Sequence, residues 1–168
     1  MNPDARAVLD YLEGLGIPCR LLEHAPTATM EACAAVDQAL HALTPKNIFL
    51  TTKNGRRFYL CLTRPEARFR TADISKQAGS SRLSFAPEDK LFEHLRCHGG
   101  SASPLGLIFD AEKSVHLLVD AALRDVQALA FHPCDNTLTL AMGGGDFFGK
   151  YLTSLGIEPL FVEIHDFL

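Results

Sequence analysis

A chain of 168 residues, 47% hydrophobic and 21% charged, has the size and balance of one soluble globular domain, with enough apolar material to bury roughly two-thirds of its unfolded surface. No apolar run approaches the ~18 residues of a membrane span, and the acidic, amphipathic start MNPDARAVLDYLEGLG excludes a signal peptide. The net charge of −4 hides an asymmetry, because Lys46, Lys53, Arg56, Arg57, Arg64, Arg68, Arg70, Lys76 and Arg82 face only Glu66 and Asp73 within residues 46–82, leaving that stretch at +7 and the remainder at −11. A local phosphate-binding face has this distribution, as do charges scattered over strands and turns.

The elements follow in chain order. Asn2 caps a first helix, Pro3 fits its first turn, and Ala5, Val8, Leu9, Leu12 and Leu15 recur at helical spacing until Gly14 and Gly16 end it. Cys19 to Glu23 is extended, and Thr29 caps a second helix from Met30 to about Ala39. Asn47 to Thr52 and Phe58 to Thr63 are β-rich and flank Asn54-Gly55, which predicts a hairpin. A helix over Thr71 to Ala78 ends at Gly79, Leu83 to Phe85 adds a strand, and Pro87 opens a helix carrying Leu91, Phe92 and Leu95. Leu107 to Asp110 and Val115 to Val119 read as two strands around a polar turn, and Leu129 to His132 with Thr137 to Met142 as another pair. Asp146 starts a helix with Phe147, Phe148, Tyr151, Leu152 and Leu155 on one side, and Leu160 to Ile164 is a closing strand. Without strict β–α alternation, repeats or a linker, the expected fold is a single α+β domain: a curved mixed sheet or partial barrel flanked by helices.

Three segments carry groups suited to chemistry. Lys46 and Asn47 stand at the mouth of a strand, where a point charge and a two-way amide could hold a phosphate or polarise a carbonyl. Gly100, Ser101, Ala102, Ser103, Pro104, Leu105 and Gly106 form a loop of small residues stiffened by proline, whose backbone N–H groups suit a developing oxyanion. It lacks the Gly-Lys-Ser/Thr of a phosphate-binding P-loop. Phe131 to Thr137 gathers His132, Cys134, Asp135 and Asn136 in one turn; His132 suits donation to a ribose hydroxyl or proton transfer. Each segment also has a plainer reading as a solvated strand entrance, a turn, or turn-forming side chains. The five cysteines (Cys19, Cys33, Cys61, Cys97, Cys134) are odd in number and lack a Cys-x-x-Cys pair, which points to reduced cytoplasmic thiols rather than a disulfide framework or zinc site. The histidines show no ligand-like spacing, so no metal is expected.

Five pieces in register resemble the YbaK/ProX family of aminoacyl-tRNA editing domains, in particular its freestanding prolyl-tRNA deacylase branch: Leu22-Glu23-His24-Ala25-Pro26, Lys46 to Leu50, Arg82 to Ala86, Ser103 to Leu107 and Phe131 to Thr137. The resemblance implies the mixed α/β fold of the editing insertion in bacterial prolyl-tRNA synthetase, and hydrolysis of mischarged proline tRNA without cofactor or metal. It implies that Lys46, with Asn47 beside it, meets the tRNA 3′ end, that Gly100 to Gly106 shape the aminoacyl pocket, and that His132 lies near the terminal adenosine. Asp135 and Asn136 join the substrate-binding set. The implied setting is cytoplasmic, with mischarged proline tRNA and prolyl-tRNA synthetase as partners and neither DNA nor membrane. Cys134, at a position where the family has asparagine, Pro45 and Gly143-Gly144-Gly145 depart from the pattern. Size logic favours alanine as the residue removed, with serine, threonine and cysteine also open. The rival readings are a non-catalytic tRNA-binding or synthetase-associated module and a thiol hydrolase using Cys134.

Overall fold

The computed structural model describes residues 1–26 and 30–165. Helix α1 (Pro3–Gly14) forms as its sequence signals demand: Asn2 Oδ1 accepts the Ala5 N–H at 2.7 Å, and Ala5, Val8 and Leu12 turn one apolar stripe inward. Strand β1 (Arg20–Glu23) and helix α2 (Met30–Leu40) follow, with the expected cap Thr29 outside the described residues. The hairpin of β2 (Lys46–Thr52) and β3 (Phe58–Thr63) turns through Asn54-Gly55, Gly55 supplying the left-handed φ of +69°. Helix α3 (Thr71–Ala78), β4 (Leu83–Phe85), α4 (Glu88–Leu95), β5 (Val115–Asp120), β6 (Ala128–Phe131), β7 (Leu138–Gly143) and β8 (Leu160–Val162) complete the order, with a helical run between β7 and β8.

The mixed α/β fold has its strands in two open sheets. One has the order β4-β2-β3-β5-β8, antiparallel across β4-β2-β3 and parallel across β3-β5-β8; the other is antiparallel β1-β7-β6. A parallel bridge joins them, Leu43 N–H donating to the Ala128 carbonyl at 3.0 Å and Ala130 N–H to the Leu43 carbonyl at 2.9 Å. The larger sheet separates two cores. Phe49, Leu60, Leu62, Leu117 and Val119 meet Val8, Leu12, Leu95, Leu105, Phe131 and Phe147 on one face. Ile48, Leu50, Tyr59, Cys61 and Leu118 meet Ile74 and Leu83 on the other.

Two expectations are corrected. Leu107 to Asp110 is not a strand; it belongs to a run of 3₁₀ turns over Pro104–Phe109, started by Ser103 Oγ accepting the Leu105 N–H at 3.0 Å. Gly106 packs so tightly there that a Cβ would sit 2.2 Å from the Leu95 carbonyl oxygen, a close approach that only glycine allows. The helix expected from Asp146 begins earlier, as α5 (Gly144–Asp146), widens into a π turn over Phe147–Tyr151 and ends as α6 (Leu152–Ser154). Among the described residues no helix is long and apolar enough to cross a membrane.

Candidate active site

The bridge between the sheets sets the frame. Leu43 and Leu129 lie side by side with their chains parallel, and Lys46 and His132 each come three residues later, so both strands deliver their polar residue toward the same end of the fold.

Lys46 and Asn47, adjacent in sequence, leave β2 on opposite faces, as strand geometry requires. Lys46 shares the face of Ile48 and Leu50; its exposed ammonium donates to the Ala67 carbonyl at 3.2 Å. Asn47 shares the face of Phe49, the side on which Leu105, Phe131 and Cys134 are packed. Its Nδ2 donates to the Pro45 carbonyl at 3.1 Å, while its Oδ1 is buried and has no partner among the described residues. A buried acceptor left unpaired costs about 1–3 kcal/mol, so it is a ready seat for a ligand donor.

His132 follows β6 at the start of the turn. Its Nδ1 lies 2.6 Å from the Leu138 carbonyl, which only accepts, so the proton is on Nδ1; Thr139 Oγ1 stands 3.4 Å from the same nitrogen. Thr139 Oγ1 lies 2.7 Å from His24 Nε2, and His24 Nδ1 lies 2.8 Å from the Ala25 carbonyl. That carbonyl also demands a proton on His24 Nδ1, so Thr139 donates its hydroxyl to His24 Nε2. The result is a directed chain from His132 through Thr139 to His24, the two rings 5.9 Å apart. Burial pushes the His132 pKa below the ordinary imidazole value; the nearby His24 adds to this, and the Leu138 bond and Asp135 oppose it. The ring is therefore neutral at pH 7, and its Nε2 presents a lone pair. In this tautomer Nε2 accepts a hydrogen bond.

The small-residue loop packs against this turn. A Cβ on Gly100 would lie 3.6 Å from Asn136 Nδ2, and the Cys97 and Cys134 sulfurs are 3.4 Å apart. Many of the loop's polar groups serve the loop itself. Ser101 Oγ accepts from His98 N–H at 3.2 Å, and Gly99 N–H donates to Glu88 Oε1 at 2.9 Å. Ser101 N–H donates to the His98 carbonyl, and Gly106 N–H to that of Ser103. Pro104, Leu105 and Gly106 are buried, and the Pro104 carbonyl accepts from Tyr151 Oη at 2.7 Å.

Asp135 is engaged within the turn. Its Oδ1 accepts from Thr137 N–H and Oγ1 at 3.0 and 2.6 Å, and its Oδ2 from the Asn2 N–H at 3.3 Å. Burial would raise its pKa, but the bonds from Thr137 and Asn2 outweigh it and hold the carboxyl below its usual range. Asn136 is exposed at the tip. Cys134 adopts a left-handed φ of +59°, a conformation that asparagine tolerates better. Its thiol is held protonated by the bond with Cys97, by burial and by the charge the neighbouring sulfur would carry. A protonated thiol is a poor nucleophile. The sequence reading did not assign a role to His24 or Thr139. Only the position of His24 inside a family-like segment hinted at it; its partner is 115 residues away.

The aminoacyl-tRNA editing domain family matches residues 24–148, most of the chain. The chain is 33% identical over 147 residues to the prolyl-tRNA editing protein ProX of Acetoanaerobium sticklandii, covering 87% of this chain and 90% of that protein. It is 29% identical over 165 residues to prolyl-tRNA synthetase associated domain-containing protein 1 of Bos taurus, covering 95% of both. A crystal structure of a candidate trans-editing enzyme for prolyl-tRNA synthetase superposes with a TM-score of 0.75 over 99% of each chain at 18% identity, which shows the shared fold. The chain belongs to the aminoacyl-tRNA editing domain family.

Proposed function

We propose that this member of the aminoacyl-tRNA editing family is a deacylase acting in trans, hydrolysing the ester of mischarged proline tRNA, with alanine as the residue removed. The observation that carries the reading is the packing of the turn that holds His132, whose ring is neutral with its proton on Nδ1, against the small-residue loop, Gly100 facing Asn136. An aminoacyl ester is already activated and has a vicinal ribose hydroxyl. Catalysis needs only a placed water, a stabilised oxyanion and a held ribose.

In this scheme water attacks the ester carbonyl carbon, and backbone N–H groups of the small-residue loop bind the resulting oxyanion. His132 Nε2 accepts from the terminal ribose hydroxyl and fixes its direction. The C–O bond to the ribose breaks, and the departing ribose oxygen recovers a proton from the attacking water by way of that neighbouring hydroxyl. Asn47 Oδ1 accepts from the α-ammonium of the aminoacyl group. Because Lys46 lies on the other face of β2, it holds a backbone phosphate rather than the ester carbonyl.

Proline exclusion follows from size. A synthetase pocket made for proline discriminates a missing methylene by only about 1–3 kcal/mol, so a second, smaller pocket is needed to remove alanine. Buried Pro104 and half-buried Ala102 suit its wall. The substrate would be supplied in the cytoplasm by prolyl-tRNA synthetase. The test is release of labelled amino acid from alanyl-, seryl-, cysteinyl- and prolyl-charged proline tRNA by wild type and Lys46→Ala. Rapid Lys46-dependent loss of alanine with prolyl-tRNA spared is expected. Binding without any release would establish the non-catalytic module instead.

A further inference from the structure

Three cysteines are buried, and two of them meet. Cys97 follows the end of α4, Cys134 lies in the turn that carries His132, and the Cys97 thiol donates to the Cys134 sulfur at 3.4 Å. Neither residue belongs to a regular helix or strand. Arg96 and Cys134 have left-handed φ values of +57° and +59°, so each sulfur stands at a tight turn. The deacylation scheme uses neither thiol.

Both sulfurs also approach the Leu95 carbonyl, Cys97 Sγ at 3.3 Å and Cys134 Sγ at 3.6 Å. That oxygen is the one against which Gly106 packs, so closely that a Cβ there would lie 2.2 Å away. The thiol pair, the Leu95 carbonyl and the small-residue loop are therefore one packed unit. A change at the sulfurs reaches the loop through a single oxygen atom.

Joining the sulfurs changes that unit in two ways. They close from 3.4 Å to the ~2.05 Å of a disulfide, drawing the His132 turn toward the start of the loop. Both S–H donors are lost, and the carbonyl of fully buried Leu95 is left without them. A close-packed interior transmits such a shift rather than absorbing it.

We infer that Cys97 and Cys134 are a redox pair: oxidation to a disulfide by hydrogen peroxide switches the site off, and reduction restores it. The loss of deacylation rests on the deacylase reading; the bond itself rests on the sulfur geometry alone. One sulfur attacks a peroxide oxygen, the O–O bond breaks, and the other oxygen leaves as water with the thiol proton. The second sulfur then displaces the oxygen of the sulfenic acid as a second water, which takes up the second thiol proton. The sulfurs give up two electrons and the peroxide gains them. A dithiol reverses the bond by exchange. Burial of both thiols and protonation of Cys134 slow the first step, which suits sustained exposure to oxidant rather than a brief pulse.

The test uses the full chain with the exposed Cys19 and Cys33 replaced by serine. It is treated with hydrogen peroxide and mapped by peptide mass spectrometry before and after dithiothreitol. A Cys97–Cys134 disulfide is expected, with Cys61, enclosed in the other core, still a thiol. Release of labelled alanine from charged proline tRNA is expected to fall at least about tenfold on oxidation and to return with dithiothreitol. Cys134→Ala in the same background should keep its rate through the treatment, its fold checked by circular dichroism. Absence of the disulfide, a disulfide without loss of rate, or inactivation that persists in dithiothreitol or in Cys134→Ala overturns the inference. A reduced protein that releases no amino acid from any charged tRNA would remove the deacylase reading, and the mapped disulfide would still decide the pair. Full release by the reduced protein with no disulfide after peroxide would do the reverse.

Discussion

The hydroxyl of Tyr151 donates to the carbonyl of Pro104 at 2.7 Å, both residues buried, and so ties the small-residue loop to the π turn 47 residues away in sequence. The wider π turn, Phe147–Tyr151, carries Tyr151 at its end, and the ring is braced by Phe147 at 5.8 Å and edge-on by Tyr11 at 6.2 Å. The wall proposed to distinguish alanine from proline needs rigidity. Here the rigidity comes from an aromatic cluster with one aimed polar group.

Tyr151→Phe therefore removes one bond and strands a buried carbonyl. Stability should fall by about 1–3 kcal/mol in a urea titration. Prolyl-tRNA, which the proposed wall excludes, should be hydrolysed measurably as the wall loosens. Unchanged selectivity alongside the stability loss would show that the loop holds its shape without the bond.

Thr139→Val keeps the shape of a buried side chain and cuts the link between His132 and His24. Deacylation should slow by roughly tenfold or more through kcat, the scale of a misdirected acid–base group, with tRNA binding retained. Nitrogen NMR of the His132 ring should report the Nδ1–H tautomer in wild type and a mixture in the variant.

The depressed pKa of His132 sets a pH signature. Activity should persist as pH falls through the ordinary imidazole value of about 6.5 and decline only lower, where Nε2 becomes protonated and ceases to accept. For stability, the unfolded chain takes up a proton near that value while the folded ring resists it. The resulting penalty is absent above about 6.5, grows as pH falls and is complete below the folded pKa. His132→Gln should flatten that part of the stability profile, as measured by denaturant midpoints across pH.

Cys134→Ala should leave the deacylation rate essentially unchanged, because the thiol is buried, bonded to Cys97 and held protonated. Loss of activity with the fold intact by circular dichroism would revive a thiol mechanism.

Much of the fold is legible in local chemistry. Asn2 and Pro3 start α1, Asn54-Gly55 turns the β2–β3 hairpin, and Gly79 ends α3 with a φ of +68°; each depends on dihedral preferences or bonds within a few residues. Alternation along β2 likewise determines that Lys46 and Asn47 face apart. The identity of each face did not follow from it. Which side holds the loop depends on two cores built from residues across the chain. The apolar run Leu107 to Asp110 suits a strand locally, yet contact between Gly106 and the Leu95 carbonyl and the Ser103 cap bend it into 3₁₀ turns. His132 was visible as a titratable group, but its tautomer and free nitrogen were not. Those depend on a carbonyl at Leu138 and a relay to His24 through Thr139, positioned by pairing of β1 with β7. The sequence by itself determined the turns, caps and chemical inventory, because those energies are local. The tertiary structure alone decided which groups meet and in which protonation state, because hydrogen-bond partners and desolvation come from residues brought together only by packing.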